Sequence, residues 1–441
     1  MDPCFSALTA RTRALSPSRC VGRVSGVHSS KVHLSGVVER AAIGDQVSIF
    51  APDGKVLTGE VVQLHPTTAE VLTDGPTDGI RLECKAILTG PATLAVDESW
   101  IGRIIDPNGR PLDAGPLAQG GMPVALQASP PSPTRRRAFG PRLETGLAAF
   151  NTFLPIVRGQ RVGLFAGSGV GKSHLLGLLA RHVKADLVVI ALIGERGREV
   201  GEFARDVLGA EGLARSIIVA ATSDSSALTR RRCAPSAMAI AEYFRDRGQS
   251  VLLLADSVTR FAEAHRDTAV AMGESIDASG FPASLSHQIT RLCERAGTGC
   301  DAQGDITAIF TVLVAKSDMD GPVADILRGV LDGHVVLDRD IAERGRFPAI
   351  NILRSVSRSL PAAASVEENA LITQARQALG RYHKAELMIQ SGLYAKGSDP
   401  ETDHAIACWP ALDAFVGKTT PETISESFEH LSRCVMQGET V

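Results

Sequence analysis

Aromatic residues are scarce in this chain: they make up 4% of 441 positions, with two Trp and three Tyr. Proteins that hold single-stranded nucleic acid stack its bases on aromatic rings, and little here could serve as such a platform. An excess of one charge is also missing. Lys and Arg number 46 against 49 Asp and Glu, a formal net charge of −3, so no global field points to a polyanion or a membrane surface. No apolar run is long enough to cross a bilayer. The opening Met1 to Leu8 has neither a basic segment nor an apolar one, so no export signal is expected and any membrane role is expected to run through partners. The eight cysteines (Cys4, Cys20, Cys84, Cys233, Cys293, Cys300, Cys408 and Cys434) form no C-x-x-C pair. That spacing suggests neither a disulfide framework nor a zinc site, and it fits a reducing cytosol.

What is present is organised around residues 161–173, where an apolar run leads into a glycine-rich turn and then into a helix-like segment, His174 to Ala180. This reads as a phosphate-binding loop. Gly167, Ser168, Gly169, Val170 and Gly171 let the backbone curl so that several N–H groups converge on one anion. The helix opening at Lys172, Ser173 and His174 adds its positive dipole end. Lys172 is expected on the β- and γ-phosphates of ATP and the Ser173 hydroxyl on Mg²⁺. Ala166 replaces the first glycine of the strict pattern; a small residue suffices there if the tight positions are the later glycines.

Length alone requires more than one core. Residues 1–20 place Phe5, Leu8, Thr12 and Leu15 at helical spacing, an amphipathic helix too short to be stable alone; it either docks on a partner or frays. Residues 21–95 change to short β-branched runs separated by turns, the last at Ile80–Cys84, which suggests a small β-barrel. Over residues 21–90 that barrel has six Lys and Arg against eight Asp and Glu, and Phe50 is its one aromatic. Such a surface is poorly suited to nucleic acid. Residues 96–144 read as a connecting strand, a tight turn and a proline-rich linker whose Arg135-Arg136-Arg137 run is expected to be solvated.

From 145 to 365 apolar runs alternate with helical segments: Arg161–Ala166, Leu187–Ile193, Ser216–Ala221, Val251–Ala255 and Ile306–Val314. Runs without polar alternation are strands covered on both faces. The fold class is therefore α/β: an N-terminal β-barrel, a central nucleotide-binding domain with a mainly parallel sheet, and a helical C-terminal domain over 366–441. Two carboxylates fall at expected strand ends. Asp256 is a second anchor for Mg²⁺ or the cap of the helix that follows. Glu195 is placed to polarise the attacking water and Arg196 to touch the γ-phosphate. Arg358 and Phe347 are weak signals on their own, an ion-pair arginine and a core ring in most settings.

The ordered set Phe165–Ser173, Gly194–Val200, Ala241–Asp246, Leu252–Phe261, Ile306–Val312, Leu331–Leu337, Pro348–Asn351 and Ser355–Arg358 resembles the rotary ATPase superfamily. Within it the chain is most similar to the ATPases of bacterial type III protein export, and its Gly397-Ser398-Asp399-Pro400 tail resembles the flagellar member. The resemblance implies an RecA-like core and an ATPase with Lys172, Arg196 and Arg358 beside a catalytic Glu195, Ser173 and Asp256 on the metal, and Phe347 by the adenine. It also implies a homohexamer in which Arg358 reaches the neighbouring site. The implied partners are a coiled-coil stalk in the pore, a stator-like regulator on the N-terminal helix, the membrane export gate, and export chaperones carrying flagellar subunits. The implied location is cytoplasmic, at the inner-membrane base of the flagellum. Asn151 stands where the family usually has Asp, and Ala315-Lys316-Ser317 replaces an acidic run. Alternatives are an injectisome ATPase, a hexameric nucleic-acid motor of the transcription-terminator type, and a regulatory subunit without hydrolysis. The last usually lacks the carboxylate found here at Glu195.

Overall fold

The computed structural model describes residues 19–314, 321–419 and 422–436. The helix expected over residues 1–20 lies almost wholly outside them, as do Ala315, Lys316 and Ser317. Six strands, β1 (Cys20–Val27), β2 (Lys31–Ser35), β3 (Asp45–Phe50), β4 (Val56–Leu64), β5 (Thr68–Thr73) and β6 (Lys85–Pro91), close into a barrel in the order β1-β2-β5-β4-β3-β6. Alternation does the work: Val24, Val32, Leu34, Val47, Ile49, Val61 and Val71 point inward and fill the interior. The sixth strand is Lys85–Pro91 rather than Ile80–Cys84. That earlier segment turns instead, with Glu83 in the left-handed region at φ +63° and the Arg81 N–H donating to Cys84 Sγ at 3.3 Å.

Two short pieces, β7 (Thr93–Leu94) and β9 (Val124–Ala125), pair with each other, and β8 (Ile104–Ile105) adds to the edge of the central sheet. The tight turn after β8 is built by Asp106, whose Oδ1 accepts from the N–H groups of Asn108 and Arg110, each at 2.8 Å. The arginine run is solvated at Arg135 and Arg137, whose side chains are 65% and 41% exposed, but not at Arg136, and all three are tied to the sheet domain. Arg136 donates to the carbonyls of Ala296, at 2.8 Å, and Glu294, Arg137 donates to Asp305 at 2.6 Å, and Arg135 pairs with Asp301. The acceptors are supplied from well over a hundred residues away, which a local reading of charge does not reveal.

The central sheet contains β10 (Arg161–Ala166), β11 (Leu187–Glu195), β12 (Ser216–Thr222), β13 (Val251–Asp256), β14 (Gly297–Thr298), β15 (Asp305–Leu313), β16 (Gly333–Leu337) and β17 (Val356–Ser357). Its order is β17-β16-β10-β15-β13-β11-β12-β8. Every pair is parallel except β16 with β17 and β14 with β15. Helices cover both faces, as the unbroken apolar runs require. Lys172–His182 and the C-terminal helices bury one core, with Leu175, Leu176, Leu412, Phe415 and Leu431. Ala227–Arg245, Val258–Ala271 and Ser284–Arg295 bury the other, with Met238, Phe244, Phe261 and Ile289.

The C-terminal part is one long helix, Val366–Gln390, followed by Pro400–Val416 and Ile424–Met436. Gly380 does not interrupt the first. A capping box at Ser365 and Glu368 fixes its start. Asn151, fully buried, ties this part to the sheet domain. Its Oδ1 accepts from the Thr145 N–H and hydroxyl, while its Nδ2 donates to Glu422 O at 2.9 Å and Ser427 Oγ at 3.1 Å. The barrel is tied to the sheet domain by Arg232, 6% exposed, which reaches Gln46, Asn108, Glu60 and Asp74, and by Arg231 on Glu60 at 2.7 Å.

Candidate nucleotide site

At the carboxyl end of β10 the chain turns through Gly167–Gly171 and enters helix Lys172–His182. Gly169 and Gly171 take φ of +78° and +84°, values that a side chain strains against. Gly171 is also short of room: a Cβ there would lie 3.1 Å from the ring of Phe347. Phe347, 47% exposed, is therefore brought over the loop, beside the helix start. Val170 is buried beneath the loop, while Ser168, Ser173 and His174 face outward.

Lys172 converges with two carboxylates from other strands. β13 ends at Asp256, 3% exposed, whose Oδ1 accepts from the Lys172 ammonium and from the Thr311 hydroxyl. The cap of the following helix is Ser257, not Asp256: the Ser257 hydroxyl accepts from Arg260 N. The capping role considered for Asp256 is thus already filled. β11 ends at Glu195, whose carboxylate lies 3.9 Å from Lys172 Nζ. Burial first, then the charge of Asp256 and a hydrogen bond with Glu199, push the Glu195 carboxyl up to about 7, against the opposing pull of Lys172.

Arg196 does not join this cluster; its side chain is 78% exposed and lies 3.6 Å from Glu199. Arg358 is placed elsewhere by topology. It follows β17, which pairs with the amino-terminal end of β16, Gly333 with Ser357, whereas Ala166 at the loop is level with Leu337 at the carboxyl end. Four strand steps separate the two levels, about 13 Å. The guanidinium donates to Arg328 O at 3.1 Å on an exposed surface, so Arg358 faces away from its own chain's loop.

Two residues beside Asp256 and Glu195 are not singled out by sequence reasoning. Thr311 is a hydroxyl inside an apolar strand, which is a weak but readable signal. Arg260 packs its methylenes about 3.4 Å from where a Cβ on Gly194 would sit; its hydrogen bond to Glu263 raises its pKa, with a smaller contribution from the Glu195 charge.

The donors suit a hard cation. Asp256 Oδ2 and the Ser173 hydroxyl accept or donate no hydrogen bond among the described residues, and both are oxygen ligands. Among those residues no cluster of three or more His, Cys, Asp or Glu forms a metal cage. A cation held by few protein oxygens with the rest from phosphate and water is the pattern of Mg²⁺ in phosphoryl-transfer sites.

Residues 146–357 match the nucleotide-binding domain of the ATP synthase alpha/beta family, and residues 364–433 match the T3SS EscN ATPase C-terminal domain. The chain is 43% identical to the flagellum-specific ATP synthase of Caulobacter vibrioides over 98% of its own length and 99% of the relative's. It superposes on the assembled ATPase EscN of the enteropathogenic E. coli type III secretion system with a TM-score of 0.87 and 35% identity, covering 94% of this chain and 100% of that one. EscN in complex with its central stalk EscO matches with a TM-score of 0.86 and 36% identity, over 94% of this chain and 100% of that chain.

Proposed function

The chain belongs to the ATP synthase alpha/beta family, on its flagellar and type III secretion branch, and is a P-loop ATPase; from that premise we propose that it is the ATP-hydrolysing motor of flagellar type III protein export. The observation that carries the site reading is the convergence of Lys172, Asp256 and Glu195 from the carboxyl ends of β10, β13 and β11. Loop N–H groups and Lys172 hold the β- and γ-phosphates. Ser173 and Asp256 hold Mg²⁺, which when bound supplies charge neutralisation on the phosphate oxygens. Glu195 accepts a proton from water as its oxygen attacks the γ-phosphorus and the bond to the β–γ bridging oxygen breaks. Phe347 packs on the adenine, and Arg196 swings toward the γ-phosphate from its exposed position.

Arg358 completes the site of a neighbouring copy, so each site takes two subunits; we read the assembly as a homohexamer. The likeness to an assembled ATPase and to one bound to a central stalk supports a ring with a coiled-coil subunit in its pore. A stator-like regulator on the N-terminal segment, the export gate, and chaperones that deliver flagellar subunits complete the proposed partners. Among the described residues no helix is long and apolar enough to cross a membrane, so docking at the inner-membrane base of the flagellum would run through them.

The injectisome reading is kept because the EscN C-terminal domain matches residues 364–433. Deleting the gene separates the two. Loss of flagellar filament export, restored by the wild-type chain but not by Lys172→Ala, is expected; intact motility with loss of another secretion activity would support the injectisome instead.

A further inference from the structure

Among the described residues the Asp256 carboxylate takes both of its hydrogen bonds on one oxygen, Oδ1: from Lys172 Nζ and, at 2.7 Å, from Thr311 Oγ1. Thr311 is fully buried on β15. A hydroxyl inside a strand covered on both faces is costly unless bonded. Of the two threonines in β15, Thr307 bonds the Gly159 N–H at 2.9 Å, a tie between backbone segments. The Thr311 hydroxyl acts instead on a charged side chain of the nucleotide site.

A strand tie does not explain it well. β13 and β15 are already joined by a ladder from Val251 with Ile306 to Ala255 with Phe310. Just beyond it, Thr259 Oγ1 accepts from the Leu313 N–H at 2.9 Å and closes the strand end onto the next helix. A polyphosphate on the loop draws Lys172 away from Asp256, because the same ammonium serves both. Among the described residues Thr311 is then the remaining side-chain donor on that carboxylate.

We propose that Thr311 is a positioning residue: it holds Oδ1 of Asp256 so that Oδ2 is presented to the Mg²⁺ of the bound nucleotide. This rests on reading Asp256 as the carboxylate of the cation site. The hydroxyl takes no part in bond making or breaking.

The test is equilibrium binding of a fluorescent ADP, mant-ADP, to the full chain in MgCl₂ and in EDTA. Thr311→Val keeps the shape and removes the donor. It should bind within about twofold of wild type in EDTA, while the gain in affinity from Mg²⁺ falls about tenfold, the scale of one hydrogen bond to a charged group. Thr311→Ser should restore the gain. Equal losses in EDTA and Mg²⁺, or no loss in either, would overturn the proposal. Asp256→Asn distinguishes the two levels: if it leaves the Mg²⁺ gain intact, the reading of Asp256 itself fails, whereas loss in Asp256→Asn but not in Thr311→Val sinks only the role of Thr311. If the valine variant does not fold, Thr311→Ala is read by the same criteria.

Discussion

The Lys172 ammonium lies 3.9 Å from the Glu195 carboxylate, which links the phosphate loop after β10 to the end of β11, two strands that are not neighbours in the sheet. The same ammonium is bonded to Asp256 on β13. One cation thus serves two carboxylates, and a triphosphate competes with both for it.

Glu195→Gln keeps the shape of the site and removes the base. Turnover should fall by about 10²- to 10⁴-fold, the usual worth of a positioned general base, while mant-ADP binding stays near wild type. Unchanged hydrolysis would remove Glu195 from the mechanism and revive the regulatory-subunit reading.

The raised Glu195 carboxyl sets a pH dependence. A base works deprotonated, so kcat/KM should be low below pH 7 and rise to a plateau above it, with an apparent pKa of about 7. Glu199 contributes to that elevation through its hydrogen bond. Glu199→Ala should therefore move the rising limb to lower pH, and a limb that stayed in place would assign the titration to another group.

Arg358→Ala should leave nucleotide binding by the isolated chain unchanged and lower hydrolysis by the assembled protein about 10³-fold, the scale of an arginine supplied across an interface. Mixing it with Lys172→Ala chains tests the direction of supply. Some activity should return, because a mixed interface can combine an intact loop from one copy with an intact arginine from the other.

Asn151→Ala leaves the Thr145 N–H and Glu422 carbonyl without their amide partner in a buried place. Stability should fall by about 2 kcal/mol, read as a lower denaturant midpoint at constant slope. A shift within error would mean that water replaces the amide.

Much of this architecture is legible in the sequence, for identifiable reasons. Buried parallel strands lack polar alternation, so β10, β11, β12, β13 and β15 stand out, and the loop's glycines and Lys172 are spaced by the chemistry they serve. The pairings that depend on distant partners are not legible. Arg136 looks solvated because its acceptors lie near Glu294 and Ala296. Glu83 turns where a strand is expected because its backbone takes φ +63°. Thr311 reads as one more β-branched residue until β15 is laid beside β13. Arg358 gains meaning only when the strand order places it at the opposite end of the sheet from its own loop.

The most direct test of the account is the rate of ATP hydrolysis by the purified full chain carrying Lys172→Ala, measured beside wild type at equal assembly. Hydrolysis by Lys172→Ala should fall to background; cleavage at the parental rate would rule out a phosphate site built on Lys172.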